Sequence, residues 1–193
     1  VNIQPSKTEL RKQIRAALKK ISKEKRAADS IQLCAKLKEQ FFFQSATTIL
    51  FFAPLPDEID LWPLLEESLA EKKFVTLPHF DSATNHYVVR RVENLSAEIF
   101  AGKFGTREPH STCAEVSLEK IDLILVPGIA FDLTGNRLGR GQGFYDRLLE
   151  KFSGVKCGAG FDEQMVSEIP TEAHDAKLDF ILTPTNCVIV KKN

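Results

Sequence analysis

The segment "GNRLGRGQGFYDR", Gly135 to Arg147, places four glycines and three arginines within thirteen residues. Glycines at 139, 141 and 143 remove Cβ atoms, which lets backbone N–H groups approach a bound anion closely. Arg137 and Arg140 add fork-shaped cationic donors to the same loop. Phe144, Leu148, Leu149 and Phe152 have the spacing of an inward helical stripe, so a helix is predicted to begin near Phe144. The glycines then precede a helix N-terminus, where unpaired N–H groups and the macrodipole favour negative charge. The chemistry implied is phosphate binding. A plain turn would explain the glycines but not the arginines interleaved with them. Asp146 falls in the first helical turn, and the dipole alone is enough to account for a carboxylate there. Beside phosphates, Asp146 could also hold Mg²⁺, with Asp175 of "EAHDAKLDF" as a second oxygen donor.

Two familiar phosphate motifs are tested against this loop. No G-x-x-x-x-G-K-[ST] string occurs in the chain. A dinucleotide fingerprint needs G-x-G-x-x-G tight against a strand; here the third glycine comes one residue early and about seven residues separate strand from loop. Asp162, after the following strand, stands where a ribose-binding acid would be, but the glycine spacing argues against a dinucleotide. The scattered histidines, His79, His86, His110 and His174, have no metal spacing and read mostly as loop residues.

Elements must position this loop. Ser6 and Glu9 have capping-box spacing, and Leu10, Ile14, Leu18 and Ile21 repeat at helical intervals. Lys7, Arg11 and Arg15 share another face of that helix. A second helix over "SKEKRAADSIQLCAKLKEQFFF" is expected to turn Ala27, Ile31, Cys34 and Leu37 inward. Strands and helices then alternate: "TTILFFAPL", the helix "EIDLWPLLEESLAEKK", "FVTLPHF", "HYVVRRV", and "IDLILVPGIAF", which reads as one continuous strand covered on both faces. "VKCGAGF", "LDFIL" and "NCVIV" complete the strands, the last two about the turn "TPT". The segment near residues 93–117 reads as mostly irregular. This alternation predicts an α/β fold, a single domain over residues 1–193 with a mostly parallel central sheet flanked by helices in Rossmann-like layers. Ligands of such sheets bind beyond the carboxyl ends of the strands.

Composition narrows the classes further. At 193 residues and 43% hydrophobic, the chain can bury a sizeable core without a metal or disulfide staple. Lys and Arg number 26 and so do Asp and Glu. Bulk attraction to nucleic acid or an anionic membrane is therefore not expected, and phosphate must be bound by a local site. Cys34, Cys113, Cys157 and Cys187 form no C-x-x-C pair and read as buried free thiols. With no apolar run of membrane-spanning length and no leader pattern, a cytoplasmic location is expected.

These residues carry a resemblance. "KTELR", "LPDEID", "VTLPHF", "FGTREP", "DLILVPGIAFDLTGNRLGRGQGFYDR" and "HDAKLDFILTP" resemble, in order and spacing, the 5-formyltetrahydrofolate cyclo-ligase family. The resemblance implies ATP- and Mg²⁺-dependent closure of 5-formyltetrahydrofolate to 5,10-methenyltetrahydrofolate, with ADP and phosphate released. It implies phosphorylation of the formyl oxygen followed by attack of N10, and a small-molecule folate as the partner; a monomer is expected. Lys7, Thr8, Glu9, Leu10 and Arg11 match the family's N-terminal ATP-binding segment. Arg137, Leu138, Gly139, Arg140, Gly141, Gln142, Gly143, Phe144 and Tyr145 match its ATP loop. Of these, Arg140, Gly141, Gln142, Gly143 and Phe144 also border the folate, and Arg140 and Tyr145 are the implied catalytic groups. Glu58 matches the acid that holds the pterin, Ala53 a neighbouring substrate contact, and Phe104 a residue lining the folate. Asp146 and Asp175 match the magnesium ligands. Phe144 replaces the first tyrosine of a common Tyr-Tyr-Asp triplet, and Gln142 a common lysine. Without the resemblance, a phosphate-binding module or a sugar-phosphate isomerase would also account for the loop.

Overall fold

The computed structural model describes residues 6–84, 86–102, 105–172 and 175–191. In chain order the elements are α1 (Lys7–Leu18), α2 (Lys23–Lys38), α3 (Phe41–Ser45), β1 (Thr48–Leu50), α4 (Trp62–Ala70), β2 (Phe74–Asp81) and β3 (His86–Val92). There follow α5 (Leu95–Glu98), β4 (Ile99–Ala101), β5 (Arg107–Pro109), β6 (Leu123–Val126), β7 (Ala130–Asp132) and β8 (Arg137–Leu138). The last are α6 (Phe144–Lys151), β9 (Val155–Ala159), β10 (Met165–Val166), β11 (Phe180–Leu182) and β12 (Cys187–Ile189).

Seven strands form the central sheet in the order β12-β11-β9-β6-β1-β2-β3. The five inner strands run parallel, and the edge strands β3 and β12 are antiparallel to their neighbours. Strand parity sorts the core. Ile49, Leu123, Leu125 and Leu182 pack with Leu10, Leu33, Leu37 and Leu64 of the first, second and fourth helices. Their sequence neighbours Leu50, Ile124, Val126 and Ile181 pack with Leu148 and Leu149 of α6. Side chains that alternate across a strand thus bury both faces, as expected for parallel strands rich in Ile, Leu and Val.

The N-terminal helix follows its pattern: the capping box of Ser6 and Glu9 forms, and Leu10, Ile14 and Leu18 are buried. The second helix follows its own at Cys34 and Leu37 only. Ala27 and Ile31 face outward, Ile31 being 70% exposed, and the buried residues are Asp29, Ser30, Leu33, Cys34 and Leu37. The inward face carries polar groups that bond to backbone. Arg26 donates to the Leu18 and Asp57 carbonyls, and Ser30 bonds the Arg26 carbonyl and the Asp60 N–H. The expected continuous strand over "IDLILVPGIAF" is likewise two strands, β6 and β7. Pro127 lacks the N–H a ladder requires, and the chain leaves the central sheet there. β7 instead pairs with β8 and β10 in a separate three-stranded sheet, so a hairpin stands between the apolar strand and the glycine loop. Of the thiols, Cys34, Cys113 and Cys157 are buried but Cys187, on the edge strand, is exposed. The segment near residues 93–117 holds α5 and the β4–β5 hairpin.

The turn between β7 and β8 hangs on Asp132, which is 1% exposed. Its carboxylate accepts from the Thr134 N–H and hydroxyl, from the Asn136 N–H and side-chain amide, and from the Ile169 N–H. Burial alone would raise this carboxyl, but the bonds from Asn136 and Thr134 outweigh it and hold the group below the ordinary aspartate value. A depressed folded-state value means that its stabilisation is present above the unfolded pKa and lost as pH falls through the folded one. Asp132→Ala is expected to cost about 2–4 kcal/mol, through orphaned donors and a loosened turn. Urea unfolding measures it, and the wild type should lose that advantage on acidification.

Candidate active site

Chain order in the central sheet reverses between β1 and β6: strands added after β1 extend one way, and those added after β6 the other. Crevices at such reversal points, beyond the carboxyl ends of the strands, are where open α/β sheets bind ligands. A cleft of about 640 Å³ lies there. The segment after β1 contributes Phe52, Ala53, Leu55 and Glu58, and the end of β6 contributes Pro127 and Gly128. The glycine loop and the start of α6 form another wall, from Gly139 to Arg147. The β2–β3 hairpin adds Pro78, Phe80, His86 and Tyr87; Thr106 and Glu108 adjoin them. This volume suits a drug-sized organic ligand.

The loop has the geometry its glycines imply. Gly141 has φ +99° and Gly143 +65°, values that L side chains rarely adopt. Gly143 is the N-cap of α6, and the first-turn N–H groups receive no side-chain cap from it. Arg137 and Arg140 do not stand free. Arg137, only 5% exposed, pairs with Asp146 and donates to the Pro127 carbonyl at 3.1 Å. Arg140 reaches across the cleft to Glu58, with Nε at 3.0 Å and Nη2 at 2.9 Å from Oε1, and its Nη2 lies 2.7 Å from Asp57 Oδ1. Glu58 is 8% exposed, and the Leu55 N–H donates to its second oxygen at 3.0 Å. Burial pushes the Glu58 carboxyl above its ordinary value, and Arg140 and the Leu55 N–H offset that only in part.

Aromatic rings pave the adjoining wall. Phe80 meets Tyr87 edge-on at 5.1 Å, Tyr87 meets Phe144 at 4.2 Å, and Phe144 meets Tyr145 edge-on at 4.7 Å. A wall of this kind suits a flat heteroaromatic ring. Burial, and then the Glu58 charge, drive the Tyr145 phenol well above its ordinary range, so it stays protonated and can act as a donor.

The residues expected to act together fall in several places. Ala53, Glu58, Arg137, Gly139, Arg140, Gly141, Gln142, Gly143, Phe144, Tyr145 and Asp146 all line the one cleft. The N-terminal segment joins from the side. Arg11 Nε donates to the Gly139 carbonyl at 2.9 Å, and Lys7 Nζ lies 3.0 Å from Asp175 and 3.3 Å from Glu172. Thr8 and Glu9 are exposed, while the Leu10 and Leu138 side chains are buried in the core. Phe104 and His174 lie outside the described residues. Among the described residues no group of three or more His, Cys, Asp or Glu could hold a metal. Phe80, Tyr87, Thr106, Glu108 and Arg15 are lining residues that spacing does not single out. The aromatic pair in the hairpin "HFDSATNHY" is the one local signal that points to two of them. His79, expected in a loop, is a buried residue of β2.

Comparison with known proteins agrees with this geometry. Residues 3–184 match the model of the 5-formyltetrahydrofolate cyclo-ligase family. The 5-formyltetrahydrofolate cyclo-ligase of Haemophilus influenzae is 32% identical over 183 residues, 93% of this chain and 96% of that one. The mouse cyclo-ligase is 28% identical, over 94% and 95% of the two chains. The NMR structure of Aquifex aeolicus 5,10-methenyltetrahydrofolate synthetase is 34% identical and superposes with a TM-score of 0.87, covering 97% of this chain and 94% of that one. With the match spanning the helices, the sheet and the whole glycine loop, this chain is an enzyme of the 5-formyltetrahydrofolate cyclo-ligase family.

Proposed function

We propose that this enzyme closes 5-formyltetrahydrofolate to 5,10-methenyltetrahydrofolate at the expense of ATP, in a Mg²⁺-dependent reaction that releases ADP and phosphate. Family membership supports the folate reaction. The observation that carries the ATP-dependent reading is the single cleft in which an uncapped helix N-terminus, with its glycine loop, meets an aromatic wall and a buried carboxylate. The first suits phosphates, and the second and third suit a pterin.

A formamide is a poor electrophile, because its nitrogen donates into the carbonyl and oxide does not leave. Phosphorylating the formyl oxygen converts it to a leaving group, and N10 can then close a five-membered ring. The protein's part is positioning and charge neutralisation. Loop N–H groups and Arg140 receive the phosphoryl charge, and Tyr145 donates toward the reacting oxygen. Glu58 accepts from the amino and ring N–H groups of the pterin. In the structure Arg140 and Glu58 hold each other. A phosphate draws Arg140 from Glu58, and a pterin draws Glu58 from Arg140, so each ligand frees the group the other uses.

Asp146 and Asp175 are the carboxylates that would hold Mg²⁺. Mg²⁺ typically takes one or two carboxylates and completes its shell with phosphate oxygens and water, which fits a chain whose described residues build no acidic cage. When bound, the metal neutralises phosphate charge. Without a ligand the two carboxylates rest on Arg137 and Lys7.

Mixing the protein with ATP, Mg²⁺ and 5-formyltetrahydrofolate should produce the methenyl chromophore; no chromophore, or isomerisation of a sugar phosphate without ATP, would overturn the reading. Arg140→Ala should lower kcat by about two orders of magnitude or more, and unchanged turnover would remove it from the phosphoryl site. Asp146→Asn should raise the Mg²⁺ concentration needed for half-maximal rate. Because the Glu58 carboxyl is raised, and only its ionised form can accept N–H bonds at both oxygens, folate KM should climb on acidification above the ordinary glutamate range. Glu58→Gln should raise KM at neutral pH and abolish that climb.

A further inference from the structure

Ring closure leaves one proton unaccounted for. N10 of the folate carries a hydrogen, and the methenyl product, an amidinium cation, has none there. That proton passes to a base as the N10–C bond forms and the C–O bond to phosphate breaks, and a carboxylate in the cleft can take it.

Among the described residues, three carboxylates line the cleft, Glu58, Asp146 and Glu108. Glu58 is bound by Arg140, and Asp146 by Arg137. Glu108 is 2% exposed and, among the described residues, pairs with no arginine or lysine. It is held by neutral donors: the Phe80 N–H reaches Oε2 at 2.9 Å and the Thr106 hydroxyl reaches Oε1 at 2.9 Å. Gly102 is packed against it so closely that a Cβ there would lie 2.3 Å from Oε1. The hairpin is thus built to seat this side chain.

Among the described residues, two titratable neighbours face Glu108. Its charge reaches the Tyr87 phenol, whose ring packs on Phe144 at the end of the glycine loop. Behind the carboxylate lies His79, whose Nδ1 is 3.6 Å from Oε2, buried and without a hydrogen-bond partner. With the ring proton on Nε2, this nitrogen finds nothing to accept from a carboxylate, whereas a protonated Glu108 would offer it a hydrogen. An orphan acceptor behind an unneutralised carboxylate is a pair that improves when a proton arrives.

We propose that Glu108 is the catalytic base that takes the N10 proton, with His79 as a positioning residue that receives a hydrogen bond from the protonated acid. The inference rests on the cyclo-ligase reading. In the step, the N10 lone pair forms the N10–C bond, the C–O pair leaves with phosphate, and the N10–H proton passes to Glu108.

Glu108→Gln is the test, since an amide can still accept from the Phe80 N–H and donate to Thr106. We expect kcat to fall about hundredfold or more, with folate and ATP dissociation constants within about threefold of wild type and the acid limb of the kcat profile lost. Glu108→Asp, which withdraws the carboxylate but keeps it, should be slowed and should retain the limb. His79→Ala should shift the limb rather than remove it. Turnover of Glu108→Gln near the wild-type rate would overturn the proposal while leaving the cyclo-ligase reading intact. A wild-type enzyme that makes no methenyl product would instead overturn that reading. Should Glu108→Gln not fold, a wild-type kcat that shows neither an acid limb nor a solvent isotope effect in single turnover would overturn the assignment of Glu108.

Discussion

A carboxylate taken out of water needs partners, and the guanidinium that pairs with Glu58 comes from a loop 82 residues further along the chain. Much of the site's geometry depends on that pairing. It draws the glycine loop over the ends of β1 and β6, closes one side of the cleft, and fixes which way Arg140 points. The same pairing keeps a cation and an acid of opposite duty from acting until something competes for them. Arg137 and Asp146 repeat the arrangement a few residues away, and Lys7 and Asp175 repeat it where the N-terminal helix meets the segment before β11. The charges of this neutral chain are not dispersed over its surface alone; several are stored in pairs around the cleft.

The sheet makes this storage possible. Its inner strands are parallel, so the ends of β1 and β6 open on the same side, and the order reverses between them. Pro127 stops β6 at that point. Had the apolar run continued as one strand, the ladder would have filled the crevice and carried the loop away from Glu58. The separate sheet of β10, β7 and β8 takes up the diverted chain, and Asp132 ties its turn.

How much of this can be read from residues depends on whether the signal is local. The N-terminal helix is legible because its apolar period and capping box agree. The facing of the second helix is not, because its buried side includes an arginine and a serine whose partners are backbone atoms from other segments. The glycine loop, its arginines, Asp146 and the helix after it are legible from spacing, whereas the pairing of those arginines with Asp146 and Glu58 is not. Phe80, Tyr87 and Glu108 come to the cleft through the pairing of β2 with β3 and the packing of β5 on them, which is a property of register rather than of any short motif. The family resemblance supplies the ligands' names, but the three-dimensional neighbours decide which groups face them.

The central place of β6 has a consequence for how the chain is made. β1, β2 and β3 leave a ribosome together and can pair at once, the last two as an antiparallel hairpin. The other edge of β1 stays open until residues 123–126 emerge, because its partner there is β6. During that interval an apolar strand edge, destined for the interior, is presented to any chain nearby. Vectorial synthesis therefore exposes Ile49 and Leu50 in the growing chain, and the arrival of Leu123 and Ile124 ends the hazard by closing the sheet's middle.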